Sequence, residues 1–129
     1  MKREEKIEKS LRFWQRFLNL GSWQIDFKIK KFKRKDFVQS GDIEVDIKNK
    51  KASVLICDTK TGRDDYIILH ELIHLVLWEY DHFVEDNISD DKKDQYFELL
   101  ENIAKDLTDI IHMADSEKND RNTPTVWKQ

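Results

Sequence analysis

The sequence predicts an α+β fold: an N-terminal helix, a small, mostly antiparallel three-stranded sheet, a central helix and a C-terminal helix. Three observations carry this. Apolar residues recur at three- and four-residue spacing near both ends of the chain; the spacing drops to two between Trp23 and Ile47; and the stretch YIILHELIHLVLWEY, residues 66–80, is apolar almost all round. The 129 residues suffice for one compact domain with a single core and are too few for two. That domain is expected over residues 1–113, followed by a polar, flexible tail over 114–129.

Between Glu4 and Leu20, the residues Ile7, Leu11, Trp14, Phe17 and Leu18 share one helical face, and Gly21 stands where a helix end favours glycine. Trp23, Ile25, Phe27 and Ile29 then alternate with polar residues, the pattern of a half-buried strand. Ile43, Val45 and Ile47 repeat it, and the polar turn Lys48 to Lys51 leads into Ala52–Cys57, so these two strands read as an antiparallel hairpin. Thr61, Gly62, Asp64 and Asp65 interrupt the strands and supply cap chemistry for a helix from about Asp65 to Tyr80. A helix that is apolar around its circumference belongs in the middle of a domain. Its polar interruptions therefore need a reason. Beyond a polar stretch from Asp81 to Asp91, the residues Tyr96, Leu99, Leu100, Ile103, Leu107, Ile110 and Ile111 form the stripe of a last helix, about Asp90 to His112.

Hydrophobic residues make up 39% of the chain and charged residues 38%, with a net charge of −3, which argues against bulk attraction to nucleic acid. The run Lys28, Lys30, Lys31, Lys33, Arg34 and Lys35 reads first as the solvated end of a strand and its loop; contact with nucleic acid is the weaker reading. A charged N-terminus, with neither a signal-type apolar segment nor a spanning one, leads to the expectation of a cytoplasmic protein without a membrane partner. The sequence carries no signal for an oligomeric state. Cys57, the single cysteine, reads as a small core residue and cannot build a thiolate-rich metal site, so any metal must be held by nitrogen and oxygen.

The interruptions in the apolar helix are His70, Glu71 and His74. Residues four apart lie one above the other on a helix, so the two imidazoles address one point. Zinc suits that donor pair. A hydrolytic zinc site takes three protein ligands and leaves a position for water, whose pKa the metal lowers, and Glu71 next to the first ligand is placed to act as general base. A third ligand must come from elsewhere. His82 is too far along a continued helix to share the metal, though a turn after Tyr80 would change that. On the last helix Glu101 flanks the direction set by Leu100, whereas Glu98 points away, so Glu101 is favoured; Glu98, Asp94, Asp81 and His82 stay open. Tyr80, Tyr96 and His112 are candidate hydrogen-bond donors to a reacting carbonyl, with no role assigned.

The order of helix, Trp-led strand, hairpin, His70-Glu71-Leu72-Ile73-His74 helix and a further helix bearing Glu101-Asn102-Ile103-Ala104 resembles the minimal gluzincins, including ImmA/IrrE-type peptidases and small phage-encoded metallopeptidases. The likeness runs from about Leu11 to Ile111. It implies a minimal zincin-like domain that binds zinc through His70, His74 and a glutamate of the next helix, with Glu101 at an interval similar to the family's. The chain departs from the metzincin pattern, since Tyr80 stands where that pattern has a third histidine, and the fuller downstream motif of larger gluzincins is not evident. The expected activity is zinc-dependent hydrolysis of peptide bonds, with a protein or peptide laid along the Ala52–Cys57 strand. Two other functions remain: a metal-stabilised protein-binding module of the repressor-antagonist type that does not cut, and a SprT-like, DNA-associated protease using His82 or His112 as third ligand.

Overall fold

A computed structural model describes residues 1–32 and 40–120, with side chains through residue 118. Helix α1 (Arg3–Phe17) precedes strands β1 (Gln24–Lys30), β2 (Gly41–Asp46) and β3 (Lys51–Cys57), then helices α2 (Asp64–Val76), α3 (Trp78–Asn87) and, after a 3-10 turn at Asp90–Lys92, α4 (Lys93–Asp120). The fold is α+β, as the two periodicities require. Lys33, Arg34 and Lys35 of the basic run, and residues 121–129, lie outside the described residues. No described helix is long and apolar enough to cross a membrane.

The sheet differs from the expected, mostly antiparallel one. Its order is β1-β3-β2, with β3 antiparallel to β2 and parallel to β1. The pattern explains the arrangement: β1 and β2 alternate apolar with polar residues, whereas Val54 to Cys57 are buried without interruption, as a strand flanked on both sides tends to be. Because β3 is central, the expected substrate strand has both edges taken. The edge strand beside α2 is β2.

Ile7, Leu11 and Trp14 of α1, which packs on α2, share one core with Ile68, Leu69 and Leu72 of α2 and with Ile25, Val54 and Ile56 of the sheet. Full burial of such side chains contributes on the order of 1.5–3 kcal/mol each. Polar contacts fix the register of this packing. The Arg3 guanidinium donates to both Asp64 carboxylate oxygens at 2.8 and 3.0 Å and to the carbonyl of Cys57 at 2.8 Å, which ties the start of α1 to the junction of β3 and α2. Trp14 Nε1 donates to Asp65 at 2.9 Å, one residue further on. The left-handed residue that ends α1 is Asn19 (φ 58°), ahead of the expected Gly21; asparagine tolerates that conformation better than most residues with a side chain.

The expected helix from Asp65 to Tyr80 is two helices. Leu77 leaves helical geometry (ψ 1°), and α3 then continues to Asn87, into the polar stretch to which the sequence assigned no element. α4 starts at Lys93 and reaches Asp120, past the expected end at His112, so the first seven residues of the expected tail are helical. Its inward face also differs from the expected stripe. Leu100, Ala104 and Thr108 are buried, while Leu99 (53% exposed), Ile103 (51%) and Ile110 (64%) face outward. The small residues Ala104 and Thr108, both fully buried, let α4 lie close to α2. Ala104→Leu should force the two helices apart, lowering stability by about 1–3 kcal/mol in chemical denaturation.

Candidate metal centre

One turn apart on α2, His70 and His74 face α4, and Glu101 on α4 reaches back between them. Glu101 Oε1 lies 2.8 Å from His70 Nε2, and Oε2 lies 3.1 Å from His74 Nε2. Of the sequence candidates, then, it is Glu101 that joins the histidine pair. His82 sits on α3 with Nδ1 bonded to the Trp78 carbonyl, and His112 pairs with Asp65 at 3.0 Å. Neither belongs to the cluster. Asp81 lines the same cleft but groups with His82 and Glu85.

The three ligand atoms lie within 4.8 Å of one another. Donors sharing one tetrahedral zinc at about 2.0–2.1 Å stand roughly 3.3 Å apart, near the two nitrogen–oxygen distances above, and two imidazole nitrogens with a carboxylate oxygen are a donor set zinc favours. The residues fit the ion.

Thr108 was not anticipated, and it fixes the state of His70. Its hydroxyl donates to the Ala104 carbonyl at 2.6 Å, which uses its single proton, so towards His70 Nδ1, 3.0 Å away, its oxygen can only accept. Nδ1 therefore carries a proton. Nε2, on the Glu101 side, is left as the nitrogen available to a metal. This is the arrangement in which a residue behind a histidine ligand sets its tautomer and ring plane. The only trace in the sequence is a polar residue seven after Glu101, hence on the same face of α4 and next to a buried alanine.

Glu71 is buried, 8% exposed, and lines the cleft with both histidines. Burial raises its carboxyl to about 7, against the opposing pull of His74 and His70. Burial acts to lower His74, but the Glu101 hydrogen bond and the charges of Glu71, Glu101 and Asp81 outweigh it and the pKa is raised. Hydrogen bonds from His70 and His74 bring Glu101 down to about 2. Gly41, at the start of β2, is the second residue that sequence reasoning missed. A Cβ there would stand 2.5 Å from a methyl of Ile67 and 3.3 Å from Glu71 Oε2, so the absence of a side chain lets the edge strand pass beside the Glu71 carboxyl.

The cleft encloses about 760 Å³, within the usual range for ligand sites. Its walls are the start of β2 (Gly41 to Ile43), α2, the α2–α3 junction at Leu77 and Trp78, and α4.

No protein-family model and no curated protein matches the chain. Among solved structures it is similar to the metallopeptidase zymogen of Methanocaldococcus jannaschii jannalysin, with 18% identity over 79% of this chain and 94% of that one and a TM-score of 0.41, a likeness too slight to bear on activity.

Two outcomes follow. Thr108→Val keeps the shape but removes the acceptor of His70 Nδ1–H, and should weaken zinc binding by roughly 10–100-fold in chelator competition. In the metal-free chain the raised His74 contributes stability that is complete below its ordinary value of 6.5 and lost as pH rises through the raised one. Glu71 acts in the same direction, since ionising it above about 7 leaves a buried charge. Glu101 contributes above its ordinary 4.5 and loses that as pH falls towards 2. Thermal melts of the metal-free chain should therefore give a lower midpoint at pH 8 than at pH 6; a flat profile would contradict this electrostatic account.

Proposed function

We propose that the chain is a zinc-dependent metallopeptidase, with His70, His74 and Glu101 as metal ligands and Glu71 as general base. The observation that carries the proposal is the convergence of two imidazoles and a carboxylate, within reach of one ion, beside a buried glutamate in a cleft bordered by an edge strand. Bound zinc would supply Lewis acidity, polarising a peptide carbonyl and bringing water towards ionisation near neutral pH.

The remaining work falls to residues of the chain. An extended peptide pairs with β2 through its main chain, and the register of that pairing sets which carbonyl lies over the cluster. The Glu71 carboxylate takes a proton from the attacking water and returns it to the departing amine. Burial suits it to this task, because a carboxyl poised near neutrality both accepts and releases a proton readily. Leu77, Trp78 and Leu100 provide apolar wall on one side of the cluster and exclude bulk water there.

The deciding measurement pairs metal analysis with cleavage of a peptide library. Wild type should take up one zinc per chain and cut. Glu71→Gln should keep the zinc and the fold while losing activity by roughly 10²–10⁴-fold. His70→Ala should lose the zinc itself. Failure of the wild type to bind zinc, or cleavage by Glu71→Gln at the wild-type rate, would refute the reading. Zinc uptake without any cleavage would point to a metal-stabilised binding module.

A further inference from the structure

We propose that the end of the cleft formed by Arg63, Tyr66 and Lys105 is a carboxylate-binding subsite, selecting peptides with an acid group two or three residues from the bond that is cut; this rests on the peptidase reading above. Both cations line the cleft, and both lie to the same side of the ligand cluster. Arg63 immediately precedes α2, seven residues before His70, and Lys105 follows Glu101 by one turn of α4. Leu77 and Trp78 lie beyond His74, towards the other end.

The local contacts order this end and leave the Arg63 guanidinium without an ion pair among the described residues. The Arg63 guanidinium lies 4.4 Å from the centroid of the Tyr66 ring, and that ring is parallel to His70, at 7° and 6.3 Å between centroids. Tyr66 Oη donates to one Asp109 oxygen at 2.6 Å and Lys105 Nζ to the other at 2.8 Å. Asp109 is thus engaged on both oxygens, and among the described residues Arg63 makes no ion pair. Two cations face one carboxylate. Of the neighbouring acids, Asp64 is committed to Arg3 and Asp65 to Trp14 and His112, while Asp106 acts on Lys105 only through its charge and makes no hydrogen bond to it. The other acids lining the cleft outside the cluster, Glu71 beside it and Asp42 and Asp81 on β2 and α3, would repel a second carboxylate. An acidic ligand therefore has one favourable end. Arginine stacked on an aromatic face also presents its planar fork, which matches a carboxylate in two hydrogen bonds.

Spacing gives the position of the acid. Seven residues of α2 span about 10 Å and one turn of α4 about 6 Å, while an extended substrate advances about 3.3 Å per residue. A carboxylate held at this end is therefore two to three residues from the carbonyl at the cluster. It can belong to an aspartate or glutamate side chain or to the free C-terminus of a peptide.

Binding can be read apart from turnover by calorimetry on the zinc-loaded Glu71→Gln protein. The probes are blocked hexapeptides with a single glutamate at successive positions, their glutamine counterparts, and an uncharged hexapeptide with either a free or an amidated C-terminus. The best-placed acid should bind about tenfold more tightly than its neutral counterpart, and adding Arg63→Gln should bring that ratio close to one with the circular dichroism spectrum unchanged. Preference for the glutamate series identifies a side chain as the source, and preference for the free C-terminus identifies a terminal carboxylate. Equal affinity for acidic and neutral peptides, a preference that survives Arg63→Gln, or no binding of any probe would overturn the proposal. The peptidase reading is judged separately, by whether wild type cuts the neutral hexapeptide: failure there leaves the binding ratio and its dependence on Arg63 intact.

Discussion

The approach of α4 to α2 is the constraint on which the site depends. His70 is held between two residues of α4 seven positions apart, Glu101 on Nε2 and Thr108 on Nδ1, and Ala104 between them is fully buried. A larger residue at 104 would separate the helices, and both hydrogen bonds would lengthen together. Packing and chemistry thus share one contact. That accounts for an otherwise odd feature of α4, which turns Ala104 and Thr108 inward and leaves Leu99, Ile103 and Ile110 half exposed or more. Hydrophobic burial alone would favour the opposite rotation by several kcal/mol at the usual value per side chain. The observed rotation follows from what α2 presents, which is imidazole and carboxylate in place of an apolar ridge.

Those polar groups carry a cost that only mutual pairing offsets. Two histidines and a glutamate on the buried side of α2 lose hydration, and a buried ionisable group without a partner costs several kcal/mol. In the metal-free chain the Glu101 carboxylate bridges the two imidazoles, accepting at one oxygen from each Nε2–H, so protons occupy the positions on the rings that a cation would take. Zinc would replace those protons at nearly the same spacing. A site already assembled by its own ion pairs needs little rearrangement to accept metal, and its metal-free form is for the same reason sensitive to pH.

Much of this was legible in the sequence, for identifiable reasons. The three-and-four spacing of α1 and the alternation of β1 and β2 report which faces are buried, and burial decides secondary structure in a domain this small. His70, Glu71 and His74 stood out because they interrupt an apolar helix, and Glu101 could be ranked above Glu98 because angles around a helix are fixed. The misreadings share a different cause. The break at Leu77, the parallel pairing of β1 with β3 and the rotation of α4 are set by contacts between elements distant in sequence, and no local pattern encodes them. The residues from Asp81 to Asn87 read only as a polar stretch between two helices but form a helix with an exposed face, because polarity reports solvent and not backbone conformation. Thr108 and Gly41 carried no signal of their own; each matters through one atom, a hydroxyl oxygen in the first case and a missing Cβ in the second.

The central position of β3 has a consequence for how a cleft can form at all. If the strand leading into α2 were at the sheet edge, a bound peptide would lie on the side of the sheet from which that helix departs, and the β3–α2 connection would compete for the same space. With β1 and β2 covering both its edges, β3 serves as a rigid base for α2, held further by Arg3 across the junction, and under the proposed function β2 is the strand left to meet a peptide. β2 can take that role only where its backbone comes near the helix, and Gly41 provides this: the 2.5 Å that a Cβ would have from Ile67 shows that the strand runs as close as a backbone without a side chain permits. A strand further out would leave Glu71 open to bulk water and return its carboxyl to the ordinary range. The geometry of the sheet and the proton affinity of the buried glutamate are therefore set by the same close approach.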